Sequence, residues 1–248
     1  MSVYEALLTK YHDGEAGYWV LIDPDDLPVN EIPSFMQRLR DGKVDIVMIG
    51  GSLLLNSEFE RYVREIKTHA GQLPVILFPG SVYQISPEAD ALLFLSLLSG
   101  REAYHLISNQ VLAAPLVQRS GLEAIATAYM LVDSGNLTSA QFMSGTTPLP
   151  RNKPEIVVAH ALAAQYLGFK LIYLEAGSGA EMSVPEETIT AVARSVDIPL
   201  IVGGGIRTPS EAAAKVAAGA SFVVTGNILE TNKHANLVKE FSAAIHQQ

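Results

Sequence analysis

Two carboxylates close apolar runs in this chain and are the side chains best placed to do chemistry. The run Leu21-Ile22 ends in Asp23, followed by Pro24, Asp25 and Asp26, and the run Tyr173-Leu174 ends in Glu175. A single aspartate at the end of a buried strand suits a magnesium ion, which prefers hard oxygen donors, takes one or two of them from protein and leaves the rest to water and substrate phosphates. Ser52, closing Ile49-Gly50-Gly51-Ser52, adds a hydroxyl able to complete such a site around a diphosphate. Asp25 reads instead as a turn or helix cap. Glu175 is the candidate general base, because a carboxylate takes a hydroxyl proton most readily late in the attack of an alcohol, once carbon–oxygen bonding has acidified it. Tyr173, two residues earlier, shares its side of a strand and is expected to orient that alcohol.

Around these carboxylates stand clusters of glycine. They are Glu175-Ala176-Gly177-Ser178-Gly179, Gly203-Gly204-Gly205-Ile206-Arg207 and Thr225-Gly226-Asn227. Glycine lets backbone N–H groups approach a phosphate closely, and a helix start adds favourable partial charge. In this order, late in the chain, the clusters predict an anion cup of the kind barrels build after their seventh and eighth strands. Arg207 has two readings, a phosphate contact or a partner for Glu211 at helical spacing. Asn227 either orients phosphate through its amide or occupies a left-handed turn position.

The elements that must position these residues follow from eight apolar, β-rich runs, at 18–23, 45–51, 74–80, 91–98, 124–132, 171–177, 199–206 and 222–227. Continuous rather than alternating apolar runs suit parallel strands buried on both faces. Amphipathic stretches lie between most of them, such as 56–70 with Phe59, Val63 and Ile66 on one stripe, and 185–196 with Ile189, Val192 and Val196 on another. The expected fold is a single (β/α)₈ TIM barrel over 1–248. The stretch 81–90, containing Pro87, is short for a covering helix, so the barrel is expected to carry a loop there and an open side able to admit a long ligand. Residues 148–154 read as a surface loop or a lid over the site.

Composition removes several other functions. Acidic residues outnumber basic ones 26 to 17, for a formal charge of −9, which argues against broad contact with nucleic acid. The chain has no cysteine, hence no disulfide, thiolate metal site or cysteine nucleophile. No apolar stretch reaches the roughly 18 residues a membrane span needs, and a cytoplasmic protein is expected. Lys43, Lys153 and Lys170 sit away from the C-terminal ends of strands, which disfavours a Schiff-base aldolase. His12, His69, His105, His160, His234 and His246 show no metal-ligand spacing.

Taken together, Leu21-Ile22-Asp23-Pro24-Asp25, Ile49-Gly50-Gly51-Ser52, Tyr173-Leu174-Glu175-Ala176-Gly177-Ser178-Gly179, Val202-Gly203-Gly204-Gly205-Ile206-Arg207 and Thr225-Gly226-Asn227 resemble the geranylgeranylglyceryl phosphate synthase family over nearly the whole chain. The resemblance implies a prenyltransferase that joins C1 of a prenyl diphosphate to the free primary hydroxyl of sn-glycerol 1-phosphate and releases diphosphate, in ether-lipid synthesis. It implies Asp23 and Ser52 as ligands of Mg2+. Tyr173, Leu174, Glu175, Ala176, Gly177, Ser178, Gly179, Gly204, Gly205, Gly226 and Asn227 would bind glycerol phosphate, with Glu175 activating its hydroxyl. A homo-oligomer is also implied, and the apolar segments 104–106 and 162–166 are candidate interfaces. Leu21 departs from members that carry a basic residue two positions before the aspartate, so diphosphate contacts are expected to differ. Two other readings compete: a sugar-phosphate isomerase using Asp23 and Asp133 as an acid/base pair, and a non-catalytic binder that keeps only the phosphate cup.

Overall fold

The computed structural model describes residues 1–55, 57–231 and 236–247. Its eight strands are β1 (Gly17–Ile22), β2 (Ile46–Ile49), β3 (Val75–Leu77), β4 (Ala91–Leu97), β5 (Glu123–Leu131), β6 (Leu171–Glu175), β7 (Leu200–Gly203) and β8 (Phe222–Thr225). They pair in chain order, all parallel, and β8 returns to β1 to close the barrel. The helices are α1 (Val3–His12), α2 (Ile32–Asp41), α3 (Phe59–Ala70), α4 (Asn109–Ser120), α5 (Ser139–Ser144), α6 (Pro154–Tyr166), α7 (Glu186–Ala193), α8 (Pro209–Ala217), α9 (Asn227–Thr231) and α10 (Leu237–His246). Asn56, at the start of the expected helix 56–70, and His234 lie outside the described residues.

Strand alternation sorts the core into two layers. Trp19, Met48, Leu93, Ile125, Leu171, Tyr173 and Phe222 pack inside the barrel. Their neighbours Tyr18, Val20, Val47, Ile49, Ile172 and Leu174 face outward against the helices, where they meet the buried stripe of Phe59, Val63 and Ile66 from α3. The same parity sends Asp23 and Glu175 inward, one step beyond the last layer of interior side chains. The fold thereby delivers both carboxylates to the C-terminal mouth, where barrels hold their sites.

The opposite mouth is closed by α1, whose Leu7 joins the interior cluster. Its start is fixed by a capping box between Ser2 and Glu5, and the N–H groups of Val3 and Tyr4 donate to the Glu123 carboxylate at 2.7 and 3.1 Å. At the barrel's flank no helix separates β3 from β4 among the described residues, as the composition of 81–90 leads one to expect. The connecting loop is tied to α3 instead, through Arg64 to Glu88 at 2.9 Å and Lys67 to Asp90 at 2.5 Å.

The segment 148–154 is not a lid. The N–H of Leu149 donates to Leu131 at 2.8 Å and its carbonyl accepts from Asp133 at 2.9 Å, which sews the buried Leu149 to the end of β5. The element over the mouth is the short helix α5, capped by Thr138 and ended by Gly145 in a left-handed conformation.

Candidate active site

Two adjoining cavities open at the C-terminal mouth. The polar one, about 460 Å³, is lined by Asp23, Ser52, Tyr173, Glu175 and the glycine loops after β6, β7 and β8. The apolar one, about 390 Å³, runs through the helix-free flank between Phe78, Ile85, Leu93, Leu95, Tyr104 and Val117. Ser52, Phe78, Tyr129 and Ala140 of α5 border both. A molecule with a charged head and a long apolar tail therefore has a continuous path.

Glu175 is 5% exposed and lies at the floor of the polar cavity. Its Oε1 accepts the N–H of Gly177 at 2.6 Å. Burial raises its pKa, and the Gly177 N–H and the Tyr173 hydroxyl offset only part of that rise. The Tyr173 hydroxyl faces the carboxylate without meeting full hydrogen-bond geometry to any protein atom, so this buried donor retains capacity for a substrate oxygen. Tyr129 meets the Tyr173 ring edge-on at 5.5 Å, and burial together with the Glu175 charge keeps its phenol protonated. Sequence reading missed Tyr129, although the inward parity of β5 marks it.

Glycine is required here by space. A Cβ on Gly203 would stand 2.6 Å from the Tyr173 hydroxyl, and one on Gly204 would lie 2.6 Å from the Gly177 amide while striking the Glu175 carboxylate. Gly204 and Gly205 have φ of +82° and +70°, successive positive values that glycine adopts without a Cβ penalty. Their N–H groups, like those of Ser178, Gly179 and Gly226, make no backbone hydrogen bond among the described residues. Ser178 donates its hydroxyl to the side-chain oxygen of Asn227 at 2.7 Å, joining the first and last loops of the cup. Asn227 is not in a left-handed conformation, so its amide is the feature that matters.

Not every expected residue points inward. Leu174 and Ala176 pack in the outer layer, and the Ala176 N–H is held by the Gly203 carbonyl at 3.1 Å. The start of α8 is also not the phosphate seat that its position suggests. The Glu211 carboxylate takes the N–H groups of Arg207 and Thr208 at 2.6 and 3.2 Å, in a capping box that occupies the helix end with negative charge. The Arg207 guanidinium pairs with neither Glu211 nor the cavity's centre; it donates to the carbonyls of Ala180 and Glu181 at 2.7 and 2.9 Å.

The oxygen donors at the other side fit magnesium. Asp23 and Asp26 line the cavity with Ser52. Gly51 makes room for them, because a Cβ there would sit 2.5 Å from the Asp23 carboxylate. Gly51 is held in turn by the buried Gln84, which donates to its carbonyl at 2.9 Å and accepts its N–H at 3.3 Å. Burial raises the Asp23 pKa, the Asp25 N–H lowers it, and the charges of Asp26 and Asp25 raise it further, so a cation would relieve stacked negative charge. No cluster of three or more histidine, cysteine or acidic side chains able to hold a metal exists among the described residues. With Leu21 in the lining, Arg207 is the only cationic side chain there among the described residues. Asp25 is a structural residue, accepting the Leu55 N–H at 2.7 Å.

A model of the PcrB family matches residues 10–245. The chain belongs to the PcrB family. This PcrB protein is 41% identical over 245 residues to the geranylgeranylglyceryl phosphate synthase of Chitinophaga pinensis, covering 99% of this chain and 96% of that one. It is 45% identical over 227 residues to the synthase of that name from Thermococcus kodakarensis, covering 91% and 89%. The crystal structure of (S)-3-O-geranylgeranylglyceryl phosphate synthase from Thermoplasma acidophilum, in complex with its substrate sn-glycerol-1-phosphate, superposes with a TM-score of 0.92 at 35% identity over the full length of both chains.

Proposed function

We propose that this PcrB protein is a magnesium-dependent prenyltransferase that makes the ether bond between sn-glycerol 1-phosphate and a long prenyl diphosphate, geranylgeranyl diphosphate above all. The observation that carries this reading is the junction of the two cavities at Ser52, Phe78 and Tyr129, which sets an apolar tail groove end to end with a phosphate cup containing a buried carboxylate. The relatives' names and the glycerol phosphate complex of the Thermoplasma acidophilum enzyme support the same substrates.

The N–H groups of Ser178, Gly179, Gly204, Gly205 and Gly226 would hold the phosphate of glycerol 1-phosphate, with the alcohol end reaching Glu175 and Tyr173. Glu175 takes the proton as the primary hydroxyl oxygen bonds to C1 of the prenyl chain. The C1–oxygen bond to the diphosphate breaks, and its electron pair leaves with the diphosphate. Phe78 and Tyr129 border both cavities, where the allylic carbon would gain positive charge. Bound by Asp23 and Ser52, magnesium would neutralise the departing diphosphate, for which the lining has no free arginine or lysine among the described residues. Fixing both reactants in one path supplies much of the rate, since a well-oriented pair gains effective molarities of about 10⁵ M or more.

The isomerase reading loses its second group. Asp133 does not line the cavity; its Oδ1 accepts the Gly135 N–H at 3.1 Å in its own turn. No described helix is long and apolar enough to cross a membrane; the cytoplasm as the site of action is part of the proposal. A homo-oligomer would cover the exposed apolar side chains of α4 and the end of α6, among them Val111, Leu112 and Tyr166.

Product formation from labelled sn-glycerol 1-phosphate and geranylgeranyl diphosphate, across a magnesium titration, tests the proposal. Wild type should form the ether only with the metal, and Asp23→Asn should lose at least about 100-fold in turnover. Turnover that is indifferent to chelator, or equal in Asp23→Asn, would refute the metal assignment. Glycerol phosphate binding without product from a prenyl diphosphate of any length would favour the non-catalytic binder.

A further inference from the structure

The loop after β6 is held by three cations that no sequence motif connects. Arg207 donates to the carbonyls of Ala180 and Glu181 at 2.7 and 2.9 Å. Arg151, from the turn before α6, donates to that of Ser183 at 2.6 Å. Lys215, 2% exposed within α8, donates to that of Val184 at 2.7 Å and to the Glu186 carboxylate at 2.6 Å. On the loop's other edge, Asn136 donates to the Gly179 carbonyl at 3.4 Å and accepts the Glu181 N–H at 2.8 Å, while the Met182 N–H donates to Ser134 at 3.1 Å. Every carbonyl from 179 to 184 except that of Met182 is thus engaged by the scaffold, while the N–H groups of Ser178 and Gly179 make no backbone hydrogen bond among the described residues.

This stitching matters because, among the described residues, the loop makes only one backbone hydrogen bond within itself, from the Ala180 N–H to the Gly177 carbonyl at 3.1 Å. Gly177 and Gly179 both adopt positive φ, +100° and +72°, and glycine has no steric preference that would keep them there. The opposite wall of the cup, Gly204 and Gly205, lies in the segment that carries Arg207 itself. A Cβ on Gly205 would come within 3.0 Å of the Ser183 nitrogen and one on Gly204 within 2.6 Å of the Gly177 nitrogen, so the Gly204–Gly205 segment runs close along the loop. Arg207 locks one wall to the other. Its planar fork presents two donors in fixed geometry to two successive carbonyls, an arrangement that the rotatable ammonium of a lysine does not pre-organise.

We infer that Arg207 is a positioning residue for glycerol phosphate: it fixes the spacing between the Gly177–Gly179 and Gly204–Gly205 walls, and Arg151 acts on the same loop from its far end. The inference rests on the reading of the cup as the glycerol phosphate site. Arg207 and Arg151 are both surface-accessible side chains, so conservative replacements of either are expected to fold.

The test is calorimetric titration of the full chain with sn-glycerol 1-phosphate, without prenyl diphosphate, for wild type, Arg207→Lys, Arg151→Gln and the double variant, with KM for each substrate measured alongside and folding checked by far-ultraviolet circular dichroism. Each single variant should weaken glycerol phosphate binding roughly tenfold or more, since small displacements in an oriented site are costly. KM for the prenyl diphosphate should stay as in wild type. The double variant should fall short of the product of the two single effects, because either release frees the same loop. Binding as in wild type by Arg207→Lys, or single effects that multiply in the double variant, would overturn the inference while leaving the assigned function standing. A wild-type chain that binds no glycerol phosphate would refute the cup's assignment and this inference with it.

Discussion

Glu175→Gln is expected to lower kcat by about 10²–10⁴-fold, the usual contribution of a general base, while sn-glycerol 1-phosphate still binds. The amide keeps an oxygen for the Gly177 N–H, so the loop it holds at 2.6 Å remains in place. What disappears is the proton acceptor. The pH dependence carries a second signature. Burial raises the Glu175 pKa above its ordinary value, and a base works only when deprotonated, so the acid limb of the kcat/KM profile should lie above the ordinary carboxyl range and vanish from the residual activity of the variant.

Stability should change in the opposite sense to activity. A carboxyl whose pKa is raised on folding binds more protons in the native than in the unfolded state over the interval between the two values, so stability falls as pH rises through that interval. Removing the charge with Gln relieves this, and thermal unfolding at neutral pH should show the variant more stable than wild type. The difference should shrink below about pH 4, where the carboxyl is protonated in both states. An unchanged kcat would show that Glu175 is not the base, and a variant less stable at neutral pH that it is not a desolvated charge.

The other large effect belongs to Gly204→Ala. Its φ of +82° is costly for any L side chain, by about 1–2 kcal/mol, and the new methyl would press on the Glu175 carboxylate and come within 2.6 Å of the Gly177 amide. Both walls of the cup must move to admit it. Glycerol phosphate affinity should fall by roughly 100-fold, since a displacement of about 1 Å in an oriented site costs that much. Gly121→Ala separates the causes: its φ is +74°, yet nothing lies within 4 Å of the added methyl. That variant should lose stability alone. Equal glycerol phosphate binding by Gly204→Ala would contradict the placement of the cup.

The barrel and the two carboxylates were legible in the sequence because both depend on short-range rules. Parallel strands buried on both faces leave continuous apolar runs, and strand parity then fixes which residues point inward, Asp23 and Glu175 included. The same parity marks Tyr129, but only once the site's other lining residues are known. What the sequence concealed depends on contacts between distant segments. Gln84, holding Gly51 across 33 positions, sits in a turn with no pattern of its own. Arg151 reads as a surface cation until the loop it meets is placed beside it. Arg207 and Glu211 stand at helical spacing, which suggests an ion pair; the capping of α8 wins instead, since Glu211 satisfies two backbone N–H groups that would otherwise stay open. The helices α1 and α5 were hidden for a related reason. Neither carries a wide apolar stripe, and both are fixed by caps at Ser2 and Thr138 more than by burial.

The central claim is that the hydroxyl held beside Glu175 becomes the ether oxygen, with alkyl transfer from carbon and no attack at phosphorus. It is tested most directly with sn-glycerol 1-phosphate carrying ¹⁸O in its free primary hydroxyl, incubated with geranylgeranyl diphosphate and magnesium, and mass analysis of both products. Full retention of the label in the prenyl ether is expected, with none in the released diphosphate. Label in a phosphate ester, or bound glycerol phosphate that never yields an ether, would contradict it.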